Sequence, residues 1–269
     1  MAYPYDREAI SAALRARGLD APLRYFAQIG STNDEAKRLL AEGAPAWTVV
    51  VADEQTAGRG RMGRRWRAPP GAAVLMSVVL RPQIAPGRLS RLTMLGAVAA
   101  LRALRRWFEP EAVSLKWPND VRLRRRKVAG VLPEAIFTGD VCAGAVLGIG
   151  LNVNGDFSAD AELAHSAISM ATARGAPFDR AEVLAELLAQ LRAAYPTLDG
   201  DGGRDPLYEA WRGALAMLGR RVTVAAPEGA LAGVAEDVDD EGALWLRKDD
   251  GARVRLLAGD VSLAVEDEA

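Results

Sequence analysis

Two apolar runs, Trp47-Thr48-Val49-Val50-Val51-Ala52 and Ala73-Val74-Leu75-Met76-Ser77-Val78-Val79-Leu80, read as buried strands. Between them lies a segment of a different kind. Thr56-Ala57-Gly58-Arg59-Gly60-Arg61-Met62-Gly63-Arg64-Arg65-Trp66 packs three glycines, four arginines and a tryptophan together. Glycine admits positive φ and close backbone approach. Arginine brings permanent charge and a donor fork matched to carboxylate and phosphate. A bare surface loop has no need of that alternation, so the segment points to an anionic ligand. Gly58 to Gly63 also spells G-x-G-x-x-G. That fingerprint requires a strand before it and a helix after it. Here the glycines lead through Arg67-Ala68-Pro69-Pro70-Gly71 into a second strand. A strand–loop–strand unit offers no helix N-terminus to a pyrophosphate, which argues against a Rossmann dinucleotide site.

The remaining composition narrows the chemistry. With 269 residues, half of them apolar, the chain can bury a large core and add a small second unit. A net charge of −1 provides no basic field for nucleic acid or an anionic membrane. The single Cys142, in an apolar run, excludes an internal disulfide and a cysteine zinc cage. The single His165 excludes multi-histidine metal sites, and without a nucleophile motif it argues against a Ser-His-Asp triad. The N-terminus has no apolar signal region, and no apolar run reaches about 18 residues. A soluble cytoplasmic protein is expected. Of 34 basic residues only Lys37, Lys116, Lys127 and Lys248 are lysine. In a chain so biased to arginine, the remaining lysines draw attention, and two fall between 116 and 130.

Periodicity and caps predict an α/β (α+β type) fold. Helices are expected over Asp6 to Arg17, from Ser31 onward with a Thr32-x-x-Glu35 capping box, over Leu89 to Phe108, over Asp179 to Tyr195 and over Pro206 to Leu215. Strands are expected at Val113 to Trp117, at 121–123 and 128–132 in a hairpin turning on Arg124 to Arg126, and at Val141 to Val153. Asp199 to Gly203 reads as a loop. After Gly219 five short alternating segments follow: 222–224, 230–235, 243–247, 253–257 and 261–265. Their spacing suggests a small C-terminal β-barrel. The expected boundaries are a domain over 1–217 and a small domain over 218–269.

Four segments carry chemistry. Lys116-Trp117-Pro118-Asn119-Asp120 combines a phosphate neutraliser, an amide reader and a carboxylate, though Pro-Asn-Asp is also ordinary turn chemistry. Lys127 opens the apolar strand Val128-Ala129-Gly130-Val131-Leu132, which Pro133 and Glu134 follow. Gly148-Ile149-Gly150-Leu151-Asn152-Val153-Asn154 places glycines and amides at a strand end, and a close-packed strand with an Asn turn explains it equally well. Ser31-Thr32-Asn33 is on its face a helix cap, but a cap also presents donors and acceptors at a pocket rim.

Taken together these blocks resemble the biotin protein ligases. Ser31-Thr32-Asn33, the stretch Gln55 to Trp66, Lys116 to Asp120 with Lys127 to Leu132, and Gly148 to Asn154 match in order. The resemblance spans nearly the whole chain, including an SH3-like C-terminal barrel. It implies a ligase that activates biotin with ATP as biotinyl-5′-AMP, with Mg²⁺ countering the polyphosphate. A lysine of a biotin carboxyl carrier domain, of acetyl-CoA carboxylase or a related carboxylase, then takes the biotinyl group. By position, Ser31, Thr32, Asn33 and Gln55 bind the biotin head. Arg59, Gly60 and Arg61 close over carboxylate and α-phosphate, and Trp66 covers adenine. Lys127 bridges carboxylate and phosphate and stabilises the transition state. Lys116, Asn119 and Asp120 serve the ATP side, and Asn152 reads adenine. Arg61, Asn119, Asp120 and Lys127 are the catalytic candidates, and no metal ligands are assigned.

The resemblance leaves two alternatives: a lipoate- or octanoate-transferring relative of the same fold, and a biotin-responsive binding protein. Only one helix precedes residue 25, so the DNA-binding domain of the bifunctional repressors is expected to be absent. The expected assembly is a monomer or weak homodimer. Pro133 lacks an N–H, so its strand should be an edge or irregular there. The 56–66 loop, rich in Arg and Gly, is expected to be disordered until a ligand orders it.

Overall fold

The computed structural model describes residues 5–198, 205–226 and 229–263. The expected loop over 199–203 and the last residues of the expected strand 261–265 lie outside that range. The chain opens with α1 (Arg7–Ala16), where Asp6 accepts from Ala9 N–H at 2.9 Å and Gly18 stops the helix with φ 65°. Then come β1 (Leu23–Ile29), α2 (Thr32–Ala41), β2 (Val49–Gln55), β3 (Ala73–Leu80), α3 (Ser90–Leu104), β4 (Val113–Lys116) and β5 (Asp120–Leu123). After these come β6 (Arg126–Thr138), β7 (Val141–Asn152), α4 (Met170–Arg174), α5 (Arg180–Ala194) and α6 (Pro206–Gly213). Strand β1 was not legible: its burial lacks the alternation that marks a strand. Arg124 and Arg125 take positive φ and form the two-residue turn between β5 and β6.

One correction concerns α2. Its N-cap is Ser31, whose side chain makes no cap bond, and the expected capping box does not form. Thr32 Oγ1 instead donates to Gln55 Oε1 at 3.0 Å, and Glu35 pairs with Arg38. A tertiary partner has replaced the local cap.

Seven strands form a mixed sheet in the order β1-β2-β3-β7-β6-β5-β4, parallel only between β1 and β2. One face carries the main core. There Val49, Val51, Met76, Val78, Leu147, Ile149 and Leu151 pack in one cluster with α1, α3 and α5 residues. On the opposite face Val50, Val79 and Val146 pack against Ala36, Leu39 and Leu40 of α2. Helix α2 is short, so the rest of that face is left for something else. Past Val131, β6 pairs only with β7, so Pro133 sits on a one-sided stretch where no second ladder needs its missing N–H.

The C-terminal unit contains β8 (Arg221–Ala226), β9 (Gly229–Val238), β10 (Leu244–Arg247), β11 (Arg253–Leu256) and β12 (Asp260–Leu263). They form an antiparallel sheet in the order β11-β10-β9-β8-β12. It is tied to the large sheet by Trp117 Nε1, which donates to Gly242 O at 2.8 Å, and to α6 by Tyr208 Oη, which donates to Val238 O at 2.6 Å.

Fully buried Arg91, on α3, holds the helical layer together. Its guanidinium donates to Leu198 O at 3.0 Å, to Thr197 O at 3.3 Å and to both oxygens of Asp205, the residue that caps α6. Removing it strands a carboxylate and two carbonyls away from their donors. Arg91→Met should therefore cost about 3 kcal/mol of stability. Chemical denaturation measures this; a change below about 1 kcal/mol would mean the network is replaceable by packing.

Candidate active site

The open part of the sheet face is built in cross-strand rows. Side chains alternate along each strand, so every second residue of β3, β7 and β6 faces the same way. Register sets the rows: Val79–Val146–Glu134, then Ser77–Gly148–Leu132, then Leu75–Gly150–Gly130, then Ala73–Asn152. The first row lies beside α2. The next two contain three glycines, which cut a trench. The Gly148-Ile149-Gly150-Leu151-Asn152 motif is thus one period-two strand: glycine, glycine and Asn face the site, while Ile149 and Leu151 enter the core.

Each glycine admits a particular side chain. A Cβ on Gly148 would sit 2.1 Å from Asn33 Oδ1, so Asn33 lies directly on the strand. A Cβ on Gly150 would sit 2.5 Å from Trp66 Cε2, and one on Gly130 would sit 3.1 Å from Trp66 Cζ3. The indole therefore rests on bare backbone.

The polar end of the trench is a continuous network. Gln55 Oε1 accepts from Thr32 N–H at 2.7 Å and from Thr32 Oγ1 at 3.0 Å. Ser77 Oγ lies 2.8 Å from Thr32 Oγ1 and 2.6 Å from Asn33 Oδ1. Asn33 Nδ2 donates to Leu132 O and to Glu134 Oε2. Ser31, Thr32 and Asn33 are all buried. This end of the cavity can grip a neutral polar group that both donates and accepts.

The loop closes the trench from above. It was expected to be disordered until a ligand orders it; its arrangement in the structure is a short hairpin. Gly60 N–H donates to Arg64 O at 2.7 Å and Trp66 N–H to Gly58 O at 3.0 Å, with Met62 and Gly63 turning at positive φ. Composition pointed to disorder because it cannot show backbone pairing. Arg61 is partly buried in the cavity, and its guanidinium has no hydrogen bond or ion pair among the described residues. Burial lowers its pKa, partly countered by Asp120, so it is a cation short of an anion.

Lys127 stands where two cavities meet. The first is lined by Ser31, Thr32, Asn33, Gln55, Arg59, Gly60 and Arg61. The second is lined by Arg67, Asn152, Phe157, Leu163 and Ala167, and Arg64, Arg65, Trp66 and Lys127 border both. Lys127 Nζ lies 2.6 Å from Asp120 Oδ1 and 5.6 Å from the Trp66 ring centroid. Asn152 Nδ2 donates to Ile168 O at 3.3 Å, while its Oδ1 and Trp66 Nε1 are buried without a hydrogen-bond partner. An unpaired acceptor and donor at a cavity wall are each costly unless a ligand meets them.

Two expected site residues also make contacts that hold the site's frame. Asn119 Nδ2 donates to Val131 O at 2.8 Å and its own carbonyl accepts from Val131 N–H, clamping β6. Lys116 Nζ pairs with Asp260 Oδ1 at 2.8 Å. The other oxygen of Asp260 accepts from Arg64 in the loop at 2.8 Å. Burial alone would raise the Asp260 carboxyl; Lys116 and Arg64 overcome it and hold the group below its usual range. Sequence reasoning missed Asp260, Ser77 and the wall formed by Phe157, Leu163 and Ala167. Only Ser77 left a signal, as the one hydroxyl in an apolar run.

The chain matches the Biotin/lipoate A/B protein ligase family over residues 25–152 and the Biotin protein ligase C terminal domain over 217–264. It is 38% identical to the Mycobacterium tuberculosis biotin--[acetyl-CoA-carboxylase] ligase, covering 89% of this chain and 88% of that one. It is 33% identical to the bifunctional ligase/repressor BirA of Bacillus subtilis, covering 93% of this chain and 76% of that one. Among solved structures, the Aquifex aeolicus biotin protein ligase in complex with biotin and ATP superposes with a TM-score of 0.73. That match has 28% identity and covers 90% of this chain and 98% of that one. With trench, loop and C-terminal sheet all in the matched segments, this chain belongs to the biotin protein ligase family.

Proposed function

We propose that the protein joins biotin to ATP as biotinyl-5′-AMP and then passes the biotinyl group to a lysine of a biotin carboxyl carrier domain. The observation that carries this reading is Lys127, a cation at the wall shared by two cavities, with the unpaired Arg61 beside it. One cavity has a polar end suited to a ureido group. The other has an apolar wall and an amide suited to a base.

In the first step a biotin carboxylate oxygen attacks the α-phosphorus and pyrophosphate leaves. Negative charge gathers where Lys127 and Arg61 meet the ligand, so fixed cations lower the barrier. Asp120 holds the Lys127 ammonium in place, and Asn119 fixes the strand from which it projects. In the second step the acceptor lysine amine attacks the acyl carbon, its proton is lost, and AMP leaves. Ser31, Thr32, Asn33 and Gln55 hold the biotin head; Gly60 lets the loop backbone approach. Trp66 covers the adenylate and Asn152 Oδ1 accepts from the base. Lys116 serves the ATP side through Asp260.

Magnesium fits as a companion of the nucleotide. Among the described residues no three His, Cys, Asp or Glu side chains cluster, and Asp120 and Asp260 already hold cations. Polyphosphate oxygens and water would supply most of its ligands, and the ion would neutralise the leaving group. Residues 1–217 then form the catalytic domain and 218–269 a small β domain that completes it. Among the described residues no helix is long and apolar enough to cross a membrane. We place the reaction in the cytoplasm with its carrier, acetyl-CoA carboxylase or a related carboxylase, and without DNA.

Pyrophosphate release on mixing the protein with ATP and biotin, compared with lipoate or octanoate, tests the reading. Release that does not depend on biotin overturns it. Lys127→Ala should lower single-turnover adenylation by about 10²- to 10³-fold with the fold intact by circular dichroism; near-normal turnover would remove its assigned role. Arg61→Gly should let biotinyl-AMP escape and label bystander lysines, which mass spectrometry detects; labelling confined to the carrier would contradict this. Gly150→Ala should drive Trp66 off the strand and raise the KM for ATP about tenfold, leaving biotin affinity within about threefold. Equal losses for both ligands would refute the division into two cavities.

A further inference from the structure

The four arginines of the loop have four different fates. Arg65 donates to Thr56 O at 3.0 Å and ties the loop ends together. Arg64 reaches Asp260. Arg61 faces the cavity. Arg59, at the rim of the first cavity, engages a pair of carboxylates: it meets both oxygens of Asp34 at 2.7 Å and both oxygens of Glu134 at 3.2 and 3.4 Å.

That pair is assembled by the fold. Asp34 comes from the first turn of α2, and Glu134 from the row of β6 that lies beside α2. Lys37, one turn along α2, lies 3.1 Å from Asp34 and 2.9 Å from Glu134. Two carboxylates and two cations balance only when Arg59 is in place. With the loop lifted, two carboxylates would share one lysine and draw the guanidinium back. Asn33 Nδ2 also donates to Glu134, and Asn33 belongs to the network that grips the biotin head.

We propose that Asp34 and Glu134 form a two-carboxylate catch for Arg59 that holds the loop down over the biotin cavity, so that both are positioning residues for retention of the adenylate. The inference deepens the biotin-ligase reading and rests on it. Isolated exposed ion pairs contribute little, but a bidentate arginine within a network of four charges is the exception. The catch is partly solvent-exposed, so salt weakens it. Arg59 acts here by fastening the loop, and Arg61 is left to meet the ligand's negative charge.

The test uses the full chain with biotinyl-AMP formed in place, and follows its release after a chase of unlabelled biotin and ATP. Asp34→Asn removes the carboxylate that meets Arg59 through both oxygens and leaves Glu134 with Asn33. At about 50 mM salt, release should be about fivefold faster than in the wild type, with single-turnover adenylation at saturating substrates within about twofold. Raising salt to about 500 mM should speed release more in the wild type than in the variant. Release with the wild-type rate and salt slope overturns the proposal, as does a fall in adenylation with release unchanged. Tryptic cleavage between Arg59 and Arg65 in the protein alone should also be faster in the variant, and equal cleavage overturns the catch. That arm needs no catalysis. If the wild type forms no adenylate, the ligase reading fails and proteolysis alone decides the catch.

Discussion

Everything in this site depends on how closely side chains can approach the backbone of β7 and β6. Three glycines on one face remove the Cβ atoms that would otherwise fill the trench. Asn33 then lies on Gly148 and Trp66 on Gly150 and Gly130. A Cβ at Gly148 or Gly150 would overlap an atom the site uses, and one at Gly130 would crowd Trp66 and Lys127. The packing of the opposite face makes this possible: Ile149 and Leu151 anchor the strand in the main core while its other side stays bare. Period-two alternation thus lets one strand build the core and the binding floor at once.

Charge is arranged around that floor with equal economy. Lys127 is held by Asp120, Arg64 and Lys116 share Asp260, and Arg59 and Lys37 share Asp34 and Glu134. Each of these cations has its carboxylate, so the site is stable without a large net field. Arg61 is the exception, and its burial carries a desolvation penalty. An anion entering the cavity would relieve that penalty, which is how a site with a modest number of charges can favour a ligand's developing negative charge over water.

Much of this was legible in the sequence, for identifiable reasons. Strands β3 and β7, helices α1 and α5 and the five short C-terminal strands announce themselves by alternation, caps or turn spacing. The blocks at 31–33, 55–66, 116–127 and 148–154 converge on one face of one sheet. What sequence could not show depends on long-range pairing. The Thr32–Gln55 bond displaced a plausible capping box because a partner 23 residues away competes for the same hydroxyl. The loop's hairpin was hidden because arginine and glycine counts suggest disorder whatever the register. Asp34 looked like an ordinary first-turn acid, and Asp260 like one of many acids in an exposed turn.

Asp260 also explains why the small C-terminal sheet belongs to this site at all. Lys116 lies at the end of β4 and Arg64 in the loop, and neither is close in sequence to the other. Two cations brought together in a half-buried place repel unless a carboxylate lies between them. The start of β12 supplies that carboxylate from 144 residues beyond Lys116. Trp117, fully buried beside Lys116, donates to Gly242 O and fixes the position of the small sheet. The loop's closed arrangement therefore has anchors in both sheets, Arg59 on the α2 side and Arg64 on the β12 side. A loop held at only one end could swing aside while Arg61 remained attached to its ligand. With both ends anchored, Arg61 is held within the cavity, and the C-terminal unit becomes part of the site, with Gly259 and Asp260 at the cavity's edge.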